Sequence, residues 1–261
     1  MTALLFAFAL CAFTMFCLRG GLVSATGLRV HSLDRNGLMM GAAAFALAAW
    51  VFGPLYGIAL TASVVIHEFG HVAAYRVAGH TDARFRLVPL FGGVAISNRV
   101  PDTQAESFFI TLMGPGICLA PMVLSYALSD YFLWRAPEVS RALWVFAAVT
   151  GLMNFFNLLP YWPLDGGRCV KILAETFWKP LGRIAAFAMS AALAATALWM
   201  QSTLLFFFAF FSAQSLFSGQ DESTFQRPMT KGQGTLAAFA YLFTLAAHFW
   251  GGYALLDRYI I

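Results

Sequence analysis

Charge is what this sequence has least of: 11% of its 261 residues are charged, against 60% that are hydrophobic. Soluble domains carry about 25% charged and roughly 45–50% apolar residues, so the composition excludes a water-soluble globule and indicates a polytopic membrane protein. No stretch is polar enough or long enough to form a separate soluble domain, and one membrane-embedded domain over 1–261 is the economical reading. A basic patch is also missing. The net charge is +4, yet Lys and Arg sit singly between apolar runs, as in loops flanking membrane spans, which argues against nucleic acid as a partner. Cysteine is scarce: Cys11, Cys17, Cys118 and Cys169 form no CxxC pair and read as small buried hydrophobes. The opening Met1 to Leu18 lacks a basic residue ahead of its apolar core, so it is expected to be a retained span rather than a cleaved signal. No internal repeat or low-complexity tract is present.

What is there is a series of long apolar runs. A span needs about 20 apolar residues. Candidates are Met1 to Leu18, Leu38 to Phe52, Leu55 to Ala78, Ser107 to Leu128, Ala142 to Leu159, Ile184 to Met200, Thr203 to Phe217 and Thr235 to Leu256. Gly53-Pro54 separates the second from the third, and Gln201-Ser202 the sixth from the seventh. With eight spans, one side receives Arg19, Arg29, Arg35, Arg76, Arg84, Arg86, Arg99, Arg168, Lys171, Lys179, Arg183, Arg227 and Lys231. The other receives only Arg135, Arg141 and Arg258. That asymmetry predicts cytoplasmic loops on the crowded side and both termini outside. Phe85 to Ser97 is apolar, β-branched and too short to cross, with Gly92-Gly93 at its middle; it reads as a re-entrant hairpin or strand pair. The fold class is therefore all-α and polytopic, about eight transmembrane helices with a short re-entrant β element.

Within the third span lies HEFGH, His67 to His71. Residues four apart share a helix face, so both imidazoles can point at one ion, with Glu68 beside them as general base toward a water. An ionisable group at the centre of a span costs about 2.5–3.5 kcal/mol on insertion scales, and three cluster on this helix. The bland alternative is a polar seam bonding neighbouring helices. A catalytic zinc site takes three protein ligands and leaves a position open. The best third ligand is Asp165, in NLLPYWPLDGG over Asn157 to Gly167, where Pro160 and Pro163 end a helix and Gly166-Gly167 allow close backbone approach. Local sequence alone would equally allow Asp165 to cap the helix beginning at Gly166; the need for a third ligand favours ligation. His80 reads as an interfacial loop residue, Glu175 as a surface helix residue near Lys171 and Lys179, and His248 as distant in the last span. His31 and Asp82 sit in loops without motif context.

These two motifs, in this order, resemble the site-2 protease family of intramembrane zinc metalloproteases. Weaker matches are Gly92-Gly93 and the Gly-Pro element at Met113 to Gly116. The resemblance covers about Ser63 to Lys171, and it implies a three-span catalytic core over about 55–171 with additional spans at 1–52 and 184–256. It further implies one Zn2+ ion held by His67, His71 and Asp165, with Glu68 as catalytic base. Asn157 would hold the substrate or polarise its carbonyl, with an interhelical hydrogen bond as its alternative. Gly92 and Gly93 would lie where an extended substrate strand pairs. Asn154, one turn before Asn157, reads as an interhelical contact. Many members carry a PDZ domain or a trailing regulatory domain, neither of which is expected in this sequence, and Cys118 stands where the Gly-Pro element often continues to Asn.

The expected function is hydrolysis of a peptide bond in or near the transmembrane segment of a single-span membrane protein, in the plasma membrane of a prokaryote and toward the cytoplasmic side. A catalytically silent zinc-binding membrane protein is disfavoured by an intact Glu68, and an ion-binding transporter by the missing inverted repeat.

Overall fold

The apolar runs become helices in the computed structural model, which describes residues 2–22, 35–86, 94–218 and 226–259. Helix α1 is Thr2–Cys17, α2 Arg35–Phe52, α3 Pro54–Val77, α4 Gln104–Phe132, α5 Pro137–Asn157, α6 Asp165–Phe177, α7 Lys179–Trp199, α8 Thr203–Ser218 and α9 Lys231–Tyr259. Strands β1 (Arg84–Arg86) and β2 (Val94–Ile96) pair antiparallel, Arg84 opposite Ile96 and Arg86 opposite Val94.

Both expected breaks are real. Pro54 opens α3, where its missing N–H is one that a first turn leaves unsatisfied anyway. Between α7 and α8 the chain turns through Gln201, with φ 50. Helices α3, α4, α5 and α7 and the Lys231–Asp257 part of α9 are long and apolar enough to cross a membrane. Thr2–Cys17, Gly41–Phe52 and Leu205–Gln214 are shorter apolar helices. Every segment expected to span is thus helical, five of them at spanning length, as in a multi-pass integral membrane protein. The strand pair falls at the ends of the expected β element; its centre, with Gly92 and Gly93, lies outside the described residues.

The chain divides into two compact units. The first takes Met1–Arg99, Met113–Phe156 and Thr244–Ile261. Its core draws Ala59 from α3, Val145, Ala148 and Val149 from α5, and Leu255 from α9. Leu119 and Met122 of α4 pack with Ala147 of α5, and Leu10 of α1 lies against them. Several polar groups here are paired across helices, as a low-dielectric interior favours. The hydroxyls of Ser63 and Thr150 are 2.5 Å apart, and Ser129 and Ser140 exchange hydroxyl-to-carbonyl bonds of 2.8 and 2.9 Å.

The second unit takes Val100–Leu112 and Asn157–Phe243. Here α6 packs on α7 and α7 on α8, with the hydroxyls of Ser190 and Ser212 meeting at 2.6 Å. Gln104, at the start of α4, ties the unit together. Its amide nitrogen donates to Glu175 Oε2 at 3.1 Å, and its Oε1 accepts from the Met229 backbone at 3.1 Å.

Candidate metal centre

Helix α3 carries three of the expected site residues, and all three, His67, Glu68 and His71, are buried. The i, i+4 spacing brings the two imidazoles edge to face, with ring centroids 4.9 Å apart. Their Nε2 atoms are 3.2 Å from each other. Tetrahedral zinc with ordinary imidazole bonds would separate two nitrogens by about 3.3 Å, so the pair is already spaced for one ion.

The rest of the first unit explains why Nε2 is the atom presented. Asn154 of α5 donates through Nδ2 to the Thr150 carbonyl at 2.9 Å, which identifies its Oδ1 as the acceptor facing His67 Nδ1 at 2.7 Å. His67 therefore carries its proton on Nδ1 and turns the Nε2 lone pair toward His71. A ligating histidine is commonly held in just this way, by a partner on its other nitrogen. Gly114 of α4 also lies against the rings. A Cβ there would overlap His71 Nε2 and Cε1 and come within 3.0 Å of His67 Cε1, so no side chain fits.

In the second unit, α5 gives way after Asn157 to an irregular stretch, and α6 begins at Asp165. Asp165 is buried and occupies the first helical position; the cap residue is Leu164, with no side-chain cap bond, so the capping alternative is not the one adopted. A carboxylate at a helix N-terminus is electrostatically favoured. Asn157 Nδ2 donates to Asp165 Oδ2 at 3.0 Å. This bond uses one of about four lone-pair positions on the carboxylate. A close approach of backbone fixes the segment: a Cβ on Gly166 would strike the Leu158 carbonyl, and one on Gly167 the Tyr161 carbonyl. The Leu158 carbonyl also accepts from the Tyr241 hydroxyl at 2.7 Å.

Other titratable groups are engaged elsewhere. His80 is buried beyond the end of α3, and its Nδ1 donates to Ser97 Oγ at 3.0 Å, while Ser97 donates to Asp82 Oδ1 at 3.1 Å. The Asn98 backbone N–H donates to Asp82 Oδ2 at 2.6 Å. That backbone bond, reinforced by Ser97, holds the Asp82 carboxyl below its ordinary pKa despite the opposing effect of burial. Glu175 corrects the sequence reading: it is only 6% exposed and is bonded to Gln104 and paired with Lys171 at 3.6 Å, not a surface residue. His248 is fully buried, with Nε2 2.9 Å from the Pro115 carbonyl oxygen. His31 lies outside the described residues.

Among the described residues, His67 and His71 of the first unit and Asp165 of the second are buried side chains of a kind that can ligate a metal. Imidazole nitrogens and carboxylate oxygens are both ligand types that zinc takes. Sequence reasoning read Asn154 as an interhelical contact, which its bond to His67 is, but did not identify the partner. The available signal was an amide in an apolar run, one turn before Asn157.

No family model matches the chain. Over 128 residues it is 35% identical to Rip3 of Mycobacterium tuberculosis, a zinc metalloprotease by name, a match covering 48% of this chain and 32% of the relative. It is 27% identical over 122 residues to sll0528 of Synechocystis, also a zinc metalloprotease by name, covering 47% and 32%. Among solved structures it is similar to a site-2 protease from Methanocaldococcus jannaschii, at 21% identity and a TM-score of 0.46, covering 74% of this chain and 90% of that one. The chain spans about a third of the length of these curated relatives.

Proposed function

We infer that this chain, a member of the site-2 family of zinc metalloproteases, hydrolyses a peptide bond in or beside the transmembrane segment of another membrane protein. The observation that carries the reading is the pair of buried Nε2 atoms 3.2 Å apart on α3, with Glu68 between the two histidines in sequence. The matched relatives carry zinc metalloprotease names, and zinc is the metal that suits two imidazoles and a carboxylate. We assign His67, His71 and Asp165 as its ligands.

Each residue then has a task. Asn154 keeps the His67 proton on Nδ1, and Asn157 orients the Asp165 carboxylate. Glu68 takes a proton from the attacking water and returns it to the leaving amine. Gly114 puts no side chain of its own against the imidazoles. Bound zinc supplies Lewis acidity, lowering the pKa of water to about 7. A helical substrate must unwind to expose its carbonyl, and an extended segment pairing near Gly92 and Gly93 would supply the main-chain hydrogen bonds it loses. The substrate we propose is a single-span protein of a prokaryotic plasma membrane, cleaved toward the cytoplasmic side as the basic-residue asymmetry implies.

The test compares membrane proteomes of cells making the wild-type chain or Glu68→Gln. A stable fragment is expected with the wild type alone, while both purified proteins hold zinc. Equal cleavage by the variant, or a wild-type protein without zinc, would overturn the reading.

A further inference from the structure

We propose that His248 of α9 is a positioning residue for the histidine pair: it anchors the α4 backbone at Pro115, keeping Gly114 seated against His67 and His71. The inference rests on the zinc-site reading above. All five residues belong to the first unit.

A carbonyl oxygen can only accept, so the 2.9 Å contact to Pro115 places the imidazole proton on His248 Nε2. That leaves Nδ1 buried with no hydrogen-bond partner among the described residues. A buried acceptor without a donor is destabilising, and leucine or phenylalanine in this fully buried position would avoid the cost. Packing alone therefore gives no reason for an imidazole. The bond to Pro115 does.

Helix α4 carries two internal prolines, Pro115 and Pro121. Each lacks the N–H that would bond the carbonyl four residues earlier, so α4 holds itself together least around Gly114, where it must be placed most accurately. Gly114 sits so near His71 Nε2 that the gap will not take a methyl group. A shift of α4 toward α3 would press on the ring, and a shift away would free both imidazoles to rotate off their common centre. His248 grips the residue next to that contact. One turn further along α9, the Gly251 carbonyl accepts from the Tyr126 hydroxyl of α4 at 2.5 Å, so the anchor is itself fixed to the same helix.

The experiment uses the full chain, purified with zinc and separately with cobalt as a spectroscopic substitute. His248→Leu removes the donor; His248→Gln keeps an N–H within reach of the carbonyl. Supporting histidines through their neighbours typically accounts for about 10–100-fold in metal affinity. We therefore expect His248→Leu to lose zinc to a chelator at least about tenfold more readily and to show an altered cobalt absorption spectrum. His248→Gln should restore both to near the wild type. Wild-type chelator competition and spectrum in His248→Leu would overturn the inference, as would a folded His248→Gln that behaves like His248→Leu. If His248→Leu does not fold, His248→Asn, whose amide is too short to reach, replaces it in the same comparison. A wild-type chain that binds no zinc sinks the site reading itself; a wild-type chain that binds zinc, with a His248→Leu equal to it, sinks only the positioning role.

Discussion

The interior around α3 and the α7–α8 hairpin come from similar apolar stock but use polarity differently. The most apolar window of α3 is 56% buried, that of α7 only 33%. On α3 the buried residues include Ser63, His67, Glu68 and His71, and Ser63 and His67 bond Thr150 and Asn154 of α5. Between α7 and α8 the hydroxyl pair Ser190–Ser212 stands amid apolar side chains. A hydroxyl pair needs no more than a partner and serves to hold two helices. Three ionisable groups on one buried helix need a reason, and the ligation and proton transfer proposed above would supply it.

If that contrast is right, substitutions should separate by region. The largest effect belongs to Glu68→Gln: loss of the general base lowers the cleavage rate by about 10²–10⁴-fold while zinc content stays at the wild-type level. Measured turnover on an identified substrate checks it. Asn154→Leu comes next, costing about 10–100-fold in zinc affinity by freeing the His67 ring, read by chelator competition. Gly114→Ala should weaken zinc binding in the same range by forcing the His71 ring aside, although it adds one methyl group and removes no ligand. Ser212→Ala should cost about 0.6 kcal/mol of stability, the average for an interhelical bond in a membrane protein, and leave zinc binding and cleavage unchanged. A Ser212→Ala variant deficient in zinc would erase the contrast.

The smallest effect concerns the clasp beyond the end of α3. Asp82 has a depressed folded-state pKa, so its contribution is present above the ordinary carboxylate pKa and is lost as pH falls through the folded value. Wild type should therefore be slightly more stable than Asp82→Asn at neutral pH, with the difference vanishing in acid. Unfolding measured across that range checks the sign.

Local spacing was the legible part of this protein. HEFGH is a property of one helix, and the breaks at Gly53-Pro54 and Gln201-Ser202 are written in adjacent residues, so helix placement and the histidine pair could be read directly. Partners set by the register between helices could not. Asn154 meets His67 across 87 positions, and no pattern on α5 alone says which face it turns to α3. Glu175 was misread for the same reason: beside Lys171 it has the pattern of a surface residue, and its partner Gln104 lies 71 positions away. His248 was set aside in the sequence as distant, and its bond to Pro115 joins residues 133 positions apart.

Zinc K-edge X-ray absorption on the purified Glu68→Gln chain tests the centre most directly. The account predicts one zinc per chain with nitrogen and oxygen neighbours at about 2.0–2.2 Å, an imidazole signature, and no sulfur at about 2.3 Å. It also predicts that Asp165→Ala removes an oxygen from that shell or loses the metal. A shell containing sulfur, or one left unchanged by Asp165→Ala, would contradict it.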